Sequence, residues 1–264
     1  MRQNLTEDVE LAIAAARAGM AALARSGRGG FDRTPKSGDD FSTPADVAAE
    51  RAVRATIAQR CPGDTIRGEE LPGTDGAGAR VWLVDPLCGT RNFASGSGAC
   101  CTNVALAVGG TPVVAAVGDL GMDGVYWTDG RVAAIRDRSG DRPIRPGTAN
   151  RIVEVNADGA DDVTGPALVG SRRFRRWMTP RVSATTLSLA WVAAGSRIAY
   201  VSDGDLRRNL HFAAGIALCL GAGCLVTDLR GGNVDSGAGL LVSAGPEVHA
   251  DLVDHVAAVR SVLP

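Results

Sequence analysis

Lysine is almost missing from this chain: Lys36 is the only one among 28 basic residues, and with Ala, Gly and Arg plentiful this reads as genome composition. Histidine numbers three and aromatics make up 4%. Basic and acidic residues nearly cancel, at a formal net charge of -1, so the one-sided charge that draws proteins to nucleic acid or anionic membranes is absent. No apolar run approaches the ~20 residues of a membrane span. The start, Met1-Arg2-Gln3-Asn4 followed by Glu7, Asp8 and Glu10, has neither the basic head nor the apolar centre of a signal peptide. The expectation is a cytoplasmic protein with no membrane and no nucleic-acid partner. Paired CxxC spacing is lacking too, so Cys61, Cys88, Cys100, Cys101, Cys219 and Cys224 read as reduced thiols. Five are taken as packing residues, and Cys88 is set apart by its context.

What is present is a globular α/β pattern. At 264 residues and 45% apolar content the chain can bury one large core or two smaller ones. Leu5, Val9, Ala12, Ile13, Ala16, Met20 and Leu23 predict a helix over 5–25, capped by Thr6 and stopped by Gly27 to Gly30. A second helix is predicted over 46–60, and strands over 65–67 and 81–84, which place Glu69 and Asp85 just past strand ends. Gly109-Gly110 predicts a hairpin between 102–108 and 113–117, and Asp129-Gly130 a turn after strand 124–127. The Pro, Gly and Arg-rich stretch 137–147 is the candidate boundary between 1–140 and 141–264. Beyond it strands are predicted at 151–155, 167–169 and 198–201, with helices at 186–194, 212–220 and 248–259. His249 and His255, six apart on the last helix, are assigned no role, and Trp177 and Trp191 are assigned to the core.

Asp85-Pro86-Leu87-Cys88-Gly89-Thr90 combines a carboxylate at an apolar strand's tip with a Gly-Thr that can open a helix. These are tools for holding a hard cation and an anion, and equally the parts of a plain helix cap. The segments around it resemble the inositol monophosphatase superfamily. Gly68-Glu69-Glu70 and Trp82 to Phe93 match its Gly-Glu-Glu and Trp-x-x-Asp-Pro-x-Asp-Gly-Thr-x-Asn-Phe segments. Thr43-Pro44-Ala45-Asp46 matches an upstream Thr-x-x-Asp, and Leu210-His211-Phe212-Ala213-Ala214-Gly215 is similar to its late Trp-Asp-x-Ala-Ala-Gly helix start. The resemblance implies a layered α/β/α/β/α sandwich whose first half carries the metal and phosphate motifs and whose second half closes the site. It also implies a homodimer and a small anionic substrate. A divalent metal would be held by Glu69, Asp85 and the Leu87 carbonyl, with Asp46 assisting, while Thr43 and Thr90 position water. Glu70 would support Glu69.

Two family carboxylates are replaced, by Cys88 and His211. Magnesium prefers hard oxygen ligands, so paired-magnesium chemistry is not what these residues suit. Three readings stay open. The site has relaxed into a weak phosphatase or a binding pseudoenzyme with no metal; or it takes zinc or iron; or Cys88 serves as nucleophile or acid with His211 as its base. Gly89, Thr90, Arg91 and Arg172 are the candidate substrate-binding residues. The two arginines suit bidentate contact with a strongly anionic substrate, the loop 170–176 being similar to one that borders substrate in relatives. An arginine run as a merely solvated face is the alternative.

Overall fold

The three-and-four spacing becomes α1 (Leu5–Ser26), which buries Val9, Ala12, Ile13, Ala16 and Leu23 along one stripe. Thr6 lies inside its first turn and is not its cap. Gly27, at a φ of +76°, closes the helix in the left-handed region that suits glycine. The computed structural model describes residues 5–27, 32–36, 41–74, 76, 78–159, 161–206 and 209–262, so residues 28–30 of the expected stop lie outside the described residues. The chain divides into two units: Met1–Pro143 with Leu210–Leu218, and Ile144–Asn209 with Cys219–Pro264.

In the first unit, β1 (Thr34–Pro35) and β2 (Phe41–Ser42) pair ahead of α2 (Pro44–Arg60). A seven-stranded sheet then runs in chain order through β3 (Thr65–Gly68), β4 (Arg80–Cys88), β5 (Cys101–Val108), β6 (Thr111–Asp119), β7 (Gly124–Thr128), β8 (Ala133–Asp137) and β9 (Gly140–Pro143). The short helix α3 (Thr90–Ala94) sits between β4 and β5. Only β3 and β4 are parallel. Gly109 and Gly110, both at positive φ, make the two-residue hairpin of β5 and β6. One face packs on α1 and α2, where Trp82, Val104 and Leu106 meet Ile13, Val53 and Ile57. Each large apolar side chain fully buried in this way contributes about 1.5–3 kcal/mol. Trp82, wholly buried, keeps its polar edge satisfied by donating Nε1–H to Asp64 at 2.8 Å. Two expectations change here. β4 does not stop at Val84 but carries Asp85 and Pro86 within it, and part of the 137–147 stretch is the edge strand β9.

The second unit holds β10 (Ile152–Val155), β11 (Thr179–Val182), β12 (Ala199–Ser202), β13 (Leu225–Thr227) and β14 (Leu240–Ser243) in the order β11-β10-β12-β14-β13. The first three are parallel and the rest antiparallel. Helices α4 (Thr164–Gly170), α5 (Arg172–Trp177) and α8 (Pro246–Arg260) share a core with Val153, Val155 and Val201. Helix α6 (Leu187–Ala193) packs on β12 and β14. Helix α7 (Leu210–Ala222) gives Leu210–Leu218 to the first unit. In both units helices cover sheets, the α/β class expected. No helix among the described residues is long and apolar enough to cross a membrane.

Residues 167–169, expected as a strand, lie in α4. Three apolar residues carry no period, and the helix is fixed from afar: Asp203 accepts from the Thr164 and Gly165 amides, at 2.8 and 3.1 Å, and from the Thr164 hydroxyl at 2.5 Å. The expected loop 170–176 is largely α5, capped by the Ser171 hydroxyl accepting from Phe174 N. Phe174 is fully buried while Arg172, Arg173, Arg175 and Arg176 are exposed.

Candidate active site

Glu69 is delivered by a turn built over a buried acid. Glu50 of α2, with no exposed surface, accepts from the Glu70 and Leu71 amides at 2.6 and 3.2 Å and pairs with Arg54 at 2.7 Å. Gly68 leaves the space that this carboxylate fills, since a Cβ there would fall 2.0 Å from Glu50 Oε1. The turn thus presents Glu69 and Glu70 together, and Lys36 donates to both at 2.5 Å.

Asp85 and Cys88 lie three apart on β4, whereas their β5 partners Asn103 and Cys101 lie two apart. On a regular strand residues three apart face opposite ways. The extra residue is a bulge, and it turns Cys88 back to the face that carries Asp85. Pro86 has no N–H to lose here, and its carbonyl, freed from the ladder, accepts from the buried Thr102 hydroxyl at 2.9 Å. Asn103 donates to Asp85 Oδ2 and to the His211 carbonyl, each at 3.4 Å.

His211, in the first turn of α7, completes the group. Its Nδ1 lies 3.0 Å from Asp85 Oδ2 and 3.5 Å from Glu69 Oε2. Burial works against the imidazolium, but the hydrogen bond to Asp85 and the charges of Asp85, Glu69 and Cys88 outweigh it and lift His211 to about 10. Burial and the Asp85 charge push Glu69 up to about 8, against the pull of His211 and Lys36. Burial also disfavours the Lys36 ammonium, yet its bonds to Glu69 and Glu70 hold it above the ordinary lysine range.

Thr43, Asp46, Thr90 and Leu87 form a second cluster. Asp46 Oδ2 accepts from the Thr43 amide and hydroxyl at 2.9 and 2.5 Å, its Oδ1 accepts from the Thr90 hydroxyl at 3.1 Å, and that hydroxyl also reaches the Leu87 carbonyl at 3.2 Å. Asp46 therefore stitches the start of α2 to the turn after β4, and burial raises its carboxyl above the usual range despite the Thr43 bonds. Gly89, at a φ of +95°, is the N-cap of α3. Arg91 lines an open cleft of about 420 Å³ with Arg33, Phe41 and Ser95, and Arg33 stacks over Phe41 at 4.6 Å. Arg172 lies in the second unit, exposed at the start of α5. Sequence reasoning missed Lys36 and Asn103. The signal for each was there, as the only lysine of the chain and as an amide inside the apolar run of β5.

Glu69, Asp85 and His211 each offer a ligand atom, all within 4.8 Å of one another. Asp85 Oδ1 is fully buried and, among the described residues, has no hydrogen-bond partner, the position of an oxygen that a cation would satisfy. One divalent cation fits this set, and two carboxylates with an imidazole suit zinc or iron at least as well as magnesium.

Comparison with known proteins gives the family and the fold. The family model described as "Inositol monophosphatase family" matches residues 2–261. The chain is 31% identical to an inositol-1-monophosphatase of Mycobacterium bovis, over 94% of this chain and 89% of that protein. It is also 31% identical to the inositol-1-monophosphatase ImpA of Mycolicibacterium smegmatis, over 84% and 82% respectively. Among solved structures, the Thermotoga maritima IMPase superposes with a TM-score of 0.84 at 23% identity, covering 97% of this chain and 98% of that one. An inositol monophosphatase from Anabaena superposes at 0.79, with 23% identity and 97% of each chain covered. With the family model matched over residues 2–261 and relatives 31% identical over most of both chains, the chain belongs to the inositol monophosphatase family.

Proposed function

We propose that this chain is a hydrolase of small, strongly anionic phosphorylated metabolites in which Cys88, His211 and Asp85 carry the chemistry that paired magnesium ions carry in relatives. The observation behind this reading is the 3.0 Å contact between His211 Nδ1 and Asp85 Oδ2. A carboxylate that holds one ring nitrogen fixes the imidazole and leaves Nε2 for the reaction, the logic of a nucleophile, base and orienting acid. The strand bulge turns Cys88 toward the same face, and the Cys88 charge is among those that raise His211. With its value raised to about 10, His211 enters the first step as an imidazolium and serves there as the acid, and the base role expected of it falls in the second step. In the first step the Cys88 thiolate, paired with the His211 imidazolium, bonds to phosphorus as the ester P–O bond breaks, and the leaving oxygen takes the His211 proton. Water then attacks phosphorus, the S–P bond breaks, and the water proton returns to His211 as inorganic phosphate leaves. Proton transfer of this kind contributes about 10²–10⁴-fold. Arg91 and Arg33, which line one open cleft, favour substrates with a second anionic group.

The unpartnered Asp85 Oδ1 favours a second reading, a single cation held by Asp85, Glu69 and His211 that would supply Lewis acidity and an activated water. Phosphate release from a panel of sugar, inositol and nucleotide phosphates separates the two. Release that survives chelator and falls about 10³-fold or more in Cys88→Ser supports the cysteine. Release that chelator abolishes, with Cys88→Ser fully active, overturns it in favour of the cation. No release by the native chain, with magnesium-dependent release in a Cys88→Asp, His211→Asp double variant, would point to a binding protein on an intact phosphatase scaffold.

A further inference from the structure

We infer that Cys88 and Cys101 are a thiol pair built to close into a disulfide across β4 and β5, Cys88 meeting the oxidant and Cys101 resolving it. The two are directly opposed in the antiparallel register. Residues so opposed have Cα atoms about 4.5–5.5 Å apart, inside the roughly 4.4–6.8 Å that disulfides span. Their side chains share a face, because the bulge has already turned Cys88 onto the side of Asp85 and Asn103, and Cys101 Sγ lies 3.6 Å from Asn103 Oδ1 on that same side. Neither cysteine is in a disulfide in this structure. Their burial differs in the way such a pair requires: Cys88 is half-buried and can be reached from solvent, whereas Cys101 has no exposed surface. A peroxide therefore reacts at Cys88 and not at Cys101.

The chemistry balances with hydrogen peroxide as the oxidant. Cys88 sulfur attacks one peroxide oxygen, the O–O bond breaks, and Cys88 becomes a sulfenic acid with release of one water. Cys101 sulfur then attacks the Cys88 sulfur, the S–O bond breaks, and a second water leaves with the Cys101 proton. Two thiols are oxidised to one disulfide and one peroxide is reduced to two waters. Without the resolving thiol, Cys88 would continue to sulfinic acid, which is not restored by simple thiols. The other close pair, Cys219 and Cys224, joined through the Cys224 amide to the Cys219 carbonyl at 2.9 Å, is buried at both members and offers an internal control. The bridge depends on strand register and on the burial difference between the two thiols, and holds whether or not Cys88 attacks phosphorus, so its readout is mass and not turnover.

The test treats the reduced, metal-free full chain with one equivalent of hydrogen peroxide, blocks remaining thiols, and maps peptides without reduction. Trypsin places Cys88 in residues 81–91 and Cys101 in residues 92–131, with fragmentation separating Cys101 from Cys100. The expected result is that two of the six thiols are lost, with a cross-linked peptide pair joined at Cys88 and Cys101 and full recovery with dithiothreitol. In Cys101→Ala the same single equivalent leaves Cys88 as sulfenic acid, trapped with dimedone, and a second equivalent carries it to sulfinic acid. The wild-type map decides the matter even if that variant folds poorly. Wild-type protein carrying sulfenic or sulfinic Cys88 with all other thiols intact would overturn the inference, as would a first-formed bridge at Cys219 and Cys224, or one joining Cys88 to Cys100.

Discussion

At Gly68 the side chain is excluded by a neighbour that cannot retreat. Glu50 beneath it is fully buried and already bound to two amides and Arg54, so a Cβ 2.0 Å from its oxygen displaces the whole turn. Gly68→Ala is expected to cost about 2–4 kcal/mol in urea unfolding, through a strained buried carboxylate and two lost hydrogen bonds. It should also lower turnover by moving Glu69. Asp85 permits a finer measurement. Asp85→Asn removes the largest of the favourable charges on His211 and leaves at most a neutral hydrogen bond, so its imidazole should titrate well below about 10, toward 6.5. An NMR titration of the three histidines reads this directly, and an unmoved upper titration would mean that Glu69 and Cys88 hold the proton instead. At this scale much of the site was legible, because Glu69, Asp85, Cys88 and His211 sit in motifs whose residue types announce their chemistry. Lys36 was marked only by being the one lysine, a signal that in an arginine-rich chain reads as composition until its ammonium is seen on two carboxylates.

Helices and strands follow the sequence wherever a period has room to show. The stripe of α1 and the diglycine hairpin of β5 and β6 both have that room, and their bounds match the pattern within a few residues. β4 and α4 do not follow it. The bulge in β4 depends on its pairing with β5, so a Pro inside a strand could not be anticipated from the local pattern. Helix α4 depends on Asp203, 39 residues further on. Asp203→Ala removes the acceptor for the Thr164 and Gly165 amides and for the Thr164 hydroxyl, and should cost about 1–2 kcal/mol, the usual worth of a lost N-cap. Hydrogen exchange locates the effect: amides 164–168 should lose protection, with the β10 and β12 amides changing only by the global loss. Unchanged protection in α4 would mean that Leu168 and the α8 contact hold the helix without its cap.

Across the whole molecule the three histidines divide by sign. In the first unit His211 is raised to about 10 and Glu69 to about 8. A group whose folded value lies above its unfolded one stabilises fully below the unfolded value and loses that contribution as pH rises through the folded one. Glu69 therefore withdraws support from 4.5 up to about 8, and His211 from 6.5 up to about 10, so this unit weakens toward alkaline pH. In the second unit burial lowers both His249 and His255. His249 is held between the Thr227 and Ser243 hydroxyls at 2.9 and 2.8 Å, and His255 stacks on Trp177 with centroids 4.7 Å apart. The unfolded chain takes up protons at these two positions below 6.5 before the folded chain can, so this unit weakens toward acid. Asp162, raised by burial, works the other way from 3.8 upward and flattens the acid end of that slope. The two units thus have opposite slopes of stability on pH. Native-state hydrogen exchange with chelator present, corrected for intrinsic rates, should show β5 and β6 amides losing protection from pH 6 to 9. Those of β12 and β14 should lose it from pH 7 to 5. If all four strands shared one pH profile, the chain would unfold as a single cooperative body and the opposed histidines would cancel within one transition.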